Sequence, residues 1–171
     1  MQSFAHQKSI FSIKQLTPND LEIFKSIRLE ALHLEPHLFG SNFERESLFS
    51  DQDLLEVLTD ITRSYFALKV AEIVVGVTGI MTSKENSSQA ILIASYIRSE
   101  YRRKGGSELL YEARLDWAKK SGFAEVIVSH RASNEASRKA NQKYDFVFTH
   151  SMQHTWNDGA VEDENFYRLK L

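Results

Sequence analysis

The chain has 171 residues, of which 42% are apolar and 11% aromatic, which is enough to bury one sizeable core and suits one domain rather than two. Its formal net charge is −2, which argues against general nucleic-acid binding, since proteins of that class carry a strong basic excess. The absence of cysteine excludes disulfides and thiolate chemistry, and the apolar runs are too short for a membrane span.

The first half of the chain is predicted to contain one strand, two helices and two paired strands. Thr17 and Pro18 are a typical helix start, with a capping hydroxyl followed by a proline at the first helical position. An apolar stripe then continues at helical spacing until Pro36 ends it. The predicted elements are a strand at 10–16, a helix between Thr17 and Pro36, a helix at 51–60, and strands at 65–70 and 73–81 joined by a tight turn.

The second half alternates strands and helices. The predicted elements are a strand at 90–98, a helix at 108–121 ended by Gly122, a strand at 125–130, a helix that begins near 133, and a last strand at 166–170. Polarity distinguishes two faces of the helix at 108–121. The inward face is predicted to carry Leu109, Leu110, Ala113, Trp117 and Ala118, and the solvent face Glu112, Arg114, Asp116, Lys119 and Lys120.

The segment 102–107, Arg-Arg-Lys-Gly-Gly-Ser, is the strongest functional feature of the sequence. It lies between a predicted strand and a predicted helix, where free backbone N–H groups meet the positive end of the helix dipole. Because three cations stand beside these groups, we expect the loop to bind an anion, most simply a diphosphate. Its glycine spacing matches neither a P-loop nor a dinucleotide-binding fold. The alternative is a solvated basic turn, since short charge runs usually face water.

The pattern R-x-x-G-x-S in segment 102–107 resembles the acyl-coenzyme-A loop of the GNAT superfamily of N-acetyltransferases, usually [R/Q]-x-x-G-x-[G/A]. Asn134 to Ser137 is similar to the N-x-A-[A/S] start of a later helix in that family, and Lys143 to Phe146 to its K-L-G-F end. The resemblance covers nearly the whole chain and implies a single acetyltransferase domain at 1–171. The implied fold is α/β, with a mostly antiparallel central sheet, a splayed pair of parallel strands and flanking helices.

The resemblance also implies where acetyl-CoA binds. Backbone groups of the strand before the loop would pair with the pantetheine arm, the loop would hold the diphosphate, and the side chain of Asn134 would reach the pantetheine. Lys139 and Lys143 are further candidates for phosphate contacts, although helix lysines usually face water. The implied binding residues are Ser95, Tyr96 and Ile97 for the arm, and Arg102, Arg103, Lys104, Gly105, Gly106 and Ser107 for the diphosphate.

The chain departs from the family at a catalytic position. Asn141 stands where the family usually has a tyrosine, and an amide cannot supply a proton to the leaving thiolate. Tyr144 lies about 60° round the same helix and is an alternative acid, although core packing explains it better. Turnover should be slowed but not abolished, because a positioned acid contributes roughly 100- to 10,000-fold and alignment of the reactants contributes more. Candidates for the base are Ser95 acting through a water, Glu44, Glu46 and Glu72.

Two functional hypotheses follow. The first is an N-acetyltransferase that moves an acetyl group from acetyl-CoA to a primary amine of a small molecule or peptide. The second is a non-catalytic or weakly catalytic acyl-CoA-binding regulatory module, which the asparagine at position 141 favours. An RNA-binding domain that uses the basic turn fits poorly with the near-neutral net charge.

Location, partners and metals are predicted as follows. Residues 1–8 lack the apolar core of a signal peptide, so we expect a cytoplasmic protein without membrane or nucleic-acid partners. The resemblance is compatible with a homodimer, since members of the superfamily often form one, and leaves the oligomeric state open. We expect no metal, because Pro36 interrupts the helix between His33 and His37 and no third ligand is evident. Acidic residues at 158 and 162–164 would attract a basic acceptor or simply face water.

Overall fold

The computed structural model describes residues 9–171, so the expected absence of a signal peptide at 1–8 falls outside the described residues. Among the described residues, no helix is long and apolar enough to cross a membrane. The strands are β1 (Phe11–Gln15), β2 (Arg63–Val70), β3 (Ile73–Thr82), β4 (Gln89–Ile97), β5 (Glu125–Arg131), β6 (Val147–Thr155) and β7 (Val161–Lys170). The helices are α1 (Leu21–Leu34), α2 (Phe43–Glu46), α3 (Asp51–Thr59), α4 (Gly106–Lys120) and α5 (Glu135–Lys143).

The strands form a seven-stranded sheet in the order β1-β2-β3-β4-β5-β7-β6. Strands β4 and β5 run parallel, and the other neighbouring pairs run antiparallel. The helix α4 connects the parallel pair, as a crossover between parallel strands requires. The predicted mixed sheet with flanking helices is therefore confirmed.

Helices cover both faces of the sheet. Successive side chains of a strand point to opposite faces, so Tyr65 and Ala67 pack with α1 and α3, whereas Phe66 and Leu68 pack with α4. The apolar stripe predicted for α1 is confirmed, because Phe24, Ile27, Ala31 and Leu32 are buried in the first of these layers.

The parallel strands β4 and β5 separate after a short ladder. They pair only from Gln89 to Ile91 with Glu125 to Ile127, although both strands run on beyond these residues. A bulge bends β4 at the same level, where Ala94 has a φ of 58° and the register with β3 shifts between Val77 and Gly79. The two strands therefore splay and leave a cleft between their carboxyl ends.

Helix α4 begins at the mouth of this cleft. Gly105 caps it with a φ of 89°, a conformation that favours glycine. Gly106 packs so tightly that an added Cβ would lie 2.7 Å from Leu68 Cδ2. These glycines fix the turn that feeds segment 102–107 into the helix.

Three expectations about the elements are wrong. Arg114 is buried at 2% exposure on the inner face of α4, not on its solvent face. Strand β7 begins at Val161 rather than at 166. The residues before 166 are mostly polar and show no apolar strand pattern, but they belong to a strand that pairs with both β5 and β6. Strand β6 and the short helix α2 are additions to the predicted elements, and Asn42 caps α2 by accepting a hydrogen bond from the Arg45 amide.

Candidate active site

A cavity of about 400 Å³ lies where β4 and β5 separate, and we call it the cleft. It passes through the sheet, so it has one wall on each face. The wall on the α4 side includes Tyr111, Arg114, His130, Asn134, Ser137 and Asn141. The wall on the α1 side includes Arg28, Phe39, Ser129, His154, Trp156 and Glu164.

Segment 102–107 presents a row of free amides. Within the described chain, the backbone N–H groups of residues 103–107 donate no hydrogen bond, whereas those of Arg102 and Glu108 do. Positive φ values at Arg103 (57°) and Gly105 (89°) curve the backbone so that these N–H groups form a concave surface, which is a typical anion site. The guanidinium of Arg102 instead contacts Ile97 O at 2.7 Å and Glu35 Oε1 at 2.5 Å. The amides therefore carry the capacity to bind an anion here.

Of the predicted strand residues, Ser95 lines the cleft, and Tyr96 and Ile97 continue β4 towards segment 102–107. Ser95, Tyr96 and Ile97 follow the end of the β4–β5 ladder, so their strand has no β5 partner at this level. The Tyr96 hydroxyl donates to Glu30 Oε1 at 3.0 Å, and Arg98 binds both oxygens of that carboxylate at 2.7 Å. These contacts tie β4 to α1 and so hold the open edge in place.

Asn134 and Asn141 both lie on the α4 side of the cleft, but their side chains make different hydrogen bonds. Asn134 lines the cleft and caps α5 by accepting from the Ser137 amide at 3.1 Å, and its N–H₂ group donates no hydrogen bond within the described chain. Asn141 is 0% exposed, and its Oδ1 accepts a hydrogen bond of 2.6 Å from the Tyr111 hydroxyl. The position of the missing tyrosine is thus filled by an amide whose orientation a neighbouring phenol sets.

Three buried polar atoms among the described residues have no hydrogen-bond partner, and their residues all line the cleft. They are Arg28 Nη1, His130 Nε2 and Asn141 Nδ2. His130 Nδ1 lies 2.8 Å from a carbonyl oxygen, Arg131 O, so Nδ1 donates and Nε2 is left as an acceptor. Because native proteins rarely leave buried polar atoms unpaired, these three atoms are available to water or to polar groups of a ligand in the cleft.

Tyr144 does not line the cleft. Its ring stacks on Tyr111 with centroids 4.4 Å apart, at the end of α5. Burial, with a further contribution from Glu108 and Glu112, raises the pKa of Tyr144 to about 12. A phenol with such a pKa, packed behind another ring, is a poor proton donor to the cleft, which agrees with the packing role expected for it.

The α1 wall of the cleft is held by an ion pair and by a loop contact. Arg28 Nε and Nη2 donate to the two oxygens of Glu46 at 2.9 and 2.8 Å, and the guanidinium lies 5.2 Å from the centre of the Phe39 ring. Asn157 Nδ2 donates to Phe39 O and Ser41 O, both at 2.8 Å, which ties the loop after α1 to the β6–β7 turn. The wall is therefore preformed rather than a free loop.

Glu164 is the carboxylate that lies in the cleft. Its Oε1 accepts from Ser129 Oγ at 2.5 Å, and its Oε2 lies 3.9 Å from His154 Nδ1. The base candidates Glu44, Glu46 and Glu72 do not line the cleft; Glu46 is paired with Arg28, and Glu72 is exposed in the β2–β3 turn. Sequence reasoning missed Glu164 as a base, although its position two residues before Phe166 in a strand places both on one face.

The remaining predicted residues lie outside the cleft. Lys143 pairs with Glu108, while Lys104 lies 5.8 Å from the centre of the Tyr101 ring beside the free amides. The His33 ring packs against Phe43 at a tilt, with ring centroids 5.2 Å apart. Within residues 9–171, no three potential ligands are grouped closely enough to hold a metal ion.

Comparison with known proteins places these features in a family. Residues 28–146 match the family model described as acetyltransferase (GNAT) family. No curated protein matches the chain significantly in sequence.

Solved structures with the same fold include acetyltransferases with their ligands. A GNAT-family acetyltransferase from Streptococcus pneumoniae is 19% identical, with a TM-score of 0.78 over 94% of this chain and 99% of that one. YncA from Salmonella typhimurium, solved with its cofactor acetyl-CoA, is 17% identical, with a TM-score of 0.77 over 94% of both chains. RimL, a ribosomal L7/L12 alpha-N-protein acetyltransferase in complex with coenzyme A, is 12% identical, with a TM-score of 0.74 over 94% of both chains. The sequence match to the family model, the splayed parallel strands and the amide-lined loop agree: this chain belongs to the GNAT family of acetyltransferases, whose members bind acetyl-CoA or CoA.

Proposed function

We propose that this protein transfers an acetyl group from acetyl-CoA to a primary amine. The observation that carries the proposal is the row of free amides at residues 103–107, which lies at the mouth of a cleft with an unpaired strand edge. A diphosphate fits the first feature, because helix N-termini and concave amide clusters bind anions. An extended amide-bearing arm fits the second, because it adds to an open strand edge through backbone hydrogen bonds.

The donor lies on the α4 side of the cleft in this proposal. The amides of 103–107 hold the diphosphate, with Arg103, Lys104 and Ser107 around it, and the backbone of Ser95 to Ile97 holds the arm. Because Ile97 O already accepts from Arg102, the arm pairs with the remaining groups of this strand. The Asn134 amide, free on its N–H₂ side, donates to the arm from the start of α5. Bound in this way, the donor supplies an activated acyl carbon with a thiol leaving group.

The acceptor lies on the α1 side of the cleft. An alkylammonium has a pKa near 10, so only about one molecule in a thousand is the free base at pH 7. Glu164 is the carboxylate of this wall, and we assign to it the uptake of the amine proton, directly or through one water. Ser129 and the nearby His154 hold and orient it.

The leaving thiolate meets an amide rather than an acid. Asn141 Nδ2 is buried and unpartnered at the cleft wall, so it is available to donate a hydrogen bond to sulfur. Proton donation is not essential there, since a thiol with a pKa near 8.5 is a good leaving group. Alignment of amine and thioester is the larger contribution, worth an effective molarity on the order of 10⁵ M or more. The cleft therefore supports slow but real transfer.

A panel of amines in a free-thiol assay tests the proposal. We expect thiol release from acetyl-CoA above the no-amine control with at least one primary amine, together with a matching acetylated product in the mass spectrum. A rise in melting temperature with acetyl-CoA but no thiol release with any acceptor class would favour the regulatory module. If folded protein neither binds acetyl-CoA nor releases thiol, both the enzyme and the regulatory-module hypotheses are overturned.

The wider setting of the activity stays a prediction. One seven-stranded sheet containing every described strand supports the proposal that the chain acts as one domain. The acceptor is a small-molecule or peptide amine. The sequence leads us to expect a cytoplasmic location. The family resemblance is compatible with a homodimer.

A further inference from the structure

Arg114 is the largest fully buried side chain among the described residues, and it lines the α4 wall of the cleft. Its Nε donates to Leu110 O at 3.0 Å, and its Nη1 donates to Ser95 Oγ at 2.8 Å. The guanidinium carbon lies 4.7 Å from the centre of the Tyr111 ring. Every one of these partners is uncharged.

Seven of the nine other arginines in the described chain have a carboxylate partner, and the remaining two, Arg45 and Arg103, are exposed to solvent. Arg28 pairs with Glu46, Arg98 with Glu30, Arg102 with Glu35 and Arg131 with Asp158 and Glu162. Within residues 9–171, Arg114 forms no such pair, and burial lowers its pKa to about 10. It is still positively charged at neutral pH, because that value lies well above 7. An uncompensated buried charge is costly for folding. The α4 wall of the cleft nevertheless carries the positive charge of Arg114 without a paired carboxylate from residues 9–171.

The charge stands beside the groups assigned to the leaving sulfur. Tyr111 lies under the guanidinium and donates its hydroxyl proton to Asn141, whose free Nδ2 faces the same cleft. Neither side chain is placed to protonate sulfur, since the phenol is committed to the amide and the amide has no acidic proton. The sulfur therefore has to leave as an anion, and Arg114 places an unpaired cation on the same wall of the cleft.

We propose that Arg114, together with the Asn141 amide, forms a binding site for the thiolate of coenzyme A. The inference rests on the proposed function. In the step, the amine nitrogen bonds to the acyl carbon, the carbon–sulfur bond breaks, and its electron pair stays on sulfur. The proton lost by the amine passes to Glu164 or through water to solvent, and the thiolate takes its proton from water after release. Arg114 acts by charge, which is most effective where the surroundings are already oriented and dry.

The direct test is the thiol pKa of bound coenzyme A, followed by the ultraviolet absorbance of the thiolate against the acetyl-CoA complex as a blank. The free thiol has a pKa of about 8.5, and the blank removes the protein's own absorbance from the signal. In the wild-type protein we expect the pKa to fall by about one unit or more, a tenfold or larger gain in thiolate. In Arg114→Leu we expect the ordinary value, and in Arg114→Lys an intermediate one.

Stability and turnover separate this role from a structural one. Arg114→Leu should keep or raise the melting temperature, because replacing an unpaired buried charge with an apolar group is commonly stabilising. It should lower kcat by about 100-fold with little change in the affinity for acetyl-CoA, since the thioester sulfur is uncharged. If Arg114→Leu unfolds, Arg114→Lys carries the thiol titration alone.

Four outcomes would overturn the inference. They are an unshifted thiol pKa in the wild-type complex, the same shifted pKa in Arg114→Leu, the same kcat in the folded Arg114→Leu variant, and a preference for succinyl-CoA that Arg114→Leu abolishes. The last outcome would assign the charge to a carboxylate on the acyl group instead. Failure of coenzyme A to bind at all would be distinguishable, because calorimetry would then contradict the proposed function as well.

Discussion

The Tyr111 hydroxyl donates a hydrogen bond of 2.6 Å to Asn141 Oδ1 in the buried wall of the cleft. Because the oxygen of the amide faces the phenol, its Nδ2 has to face the other way, where it is unpartnered. The pair joins α4 to α5, and the ring of Tyr144 stacks on that of Tyr111.

Tyr111→Phe should lower the free energy of unfolding by about 1–3 kcal/mol, because the buried Asn141 oxygen loses its donor. Urea denaturation measures this change. The matched control is Tyr144→Phe, which removes a hydroxyl that makes no hydrogen bond within residues 9–171 and should change the free energy by less than about 0.5 kcal/mol. Equal losses in the two variants would show that the hydrogen bond does not stabilise the fold.

Tyr144→Phe should also leave turnover nearly unchanged. With its pKa raised to about 12 by burial and nearby carboxylates, this phenol stays protonated and donates poorly at neutral pH. We expect kcat within about twofold of wild type, well below the roughly 100-fold loss that follows removal of a positioned acid. A loss of that size across the pH profile would make Tyr144 the acid after all.

Asn141→Tyr should not restore a general acid. Position 141 is 0% exposed and Tyr111 fills the space beside it, so a phenol there would overpack the wall. Overpacking typically costs about 1–3 kcal/mol, which thermal denaturation would detect as a lower melting temperature. A variant that is as stable as the wild type and turns over faster would show that the cleft has room for the tyrosine.

Glu164→Gln should reduce kcat/KM at neutral pH by about 100-fold or more, because the amide keeps the shape of the site and cannot take a proton. The loss should shrink as the pH rises, since more of the acceptor is then free base. Affinity for acetyl-CoA should not change. Asp163→Asn, an exposed neighbour on the opposite face of β7, is the control and should behave like the wild type. Equal activity of the two variants at every pH would exclude Glu164 as the base.

Acid should unfold the protein partly through Glu30. The Arg98 guanidinium, with help from the Tyr96 hydroxyl, holds the pKa of Glu30 below its ordinary value of 4.5. A lowered folded-state pKa means that the stabilisation is fully present above the unfolded-state value and is lost as the pH falls through the folded one.

Glu30→Gln should therefore be less stable than the wild type at neutral pH and should converge with it in acid. Melting temperatures measured from neutral pH to below about pH 4 would follow this. Glu22→Gln, an exposed substitution on the same helix, should run parallel to the wild type at all pH values. A constant difference between Glu30→Gln and the wild type would contradict the linkage.

Most of the elements and the position of the loop could be predicted, because they follow from local patterns. Alternation of polar and apolar residues, together with apolar runs, predicted six of the seven strands in part or in full. Segment 102–107 stands at a strand–helix junction, as expected. Arg114 could not be placed by residue class, since charged residues usually face water. Its spacing of four from Leu110 and from Ala118 puts it on the buried stripe, and that pattern was the better guide.

The acceptor side depends on contacts between distant parts of the chain. Glu164 meets Ser129 across the β5–β7 pairing, and the loop after α1 is fixed by Asn157, more than a hundred residues later. No local pattern encodes such contacts. The wall proposed to hold the acceptor is therefore the part of the site that the sequence leaves open.

Titration calorimetry with acetyl-CoA on wild-type protein, Gly105→Asp and Gly105→Asn tests the central claim most directly. Both substitutions share the left-handed φ of 89° and the open space around the Cβ position, so they differ in charge alone. If the amides at 103–107 hold a diphosphate, the wild type and Gly105→Asn bind acetyl-CoA, while Gly105→Asp loses more than about tenfold in affinity through repulsion. No heat from folded wild-type protein at millimolar acetyl-CoA, or equal affinities for the two variants, would contradict the account.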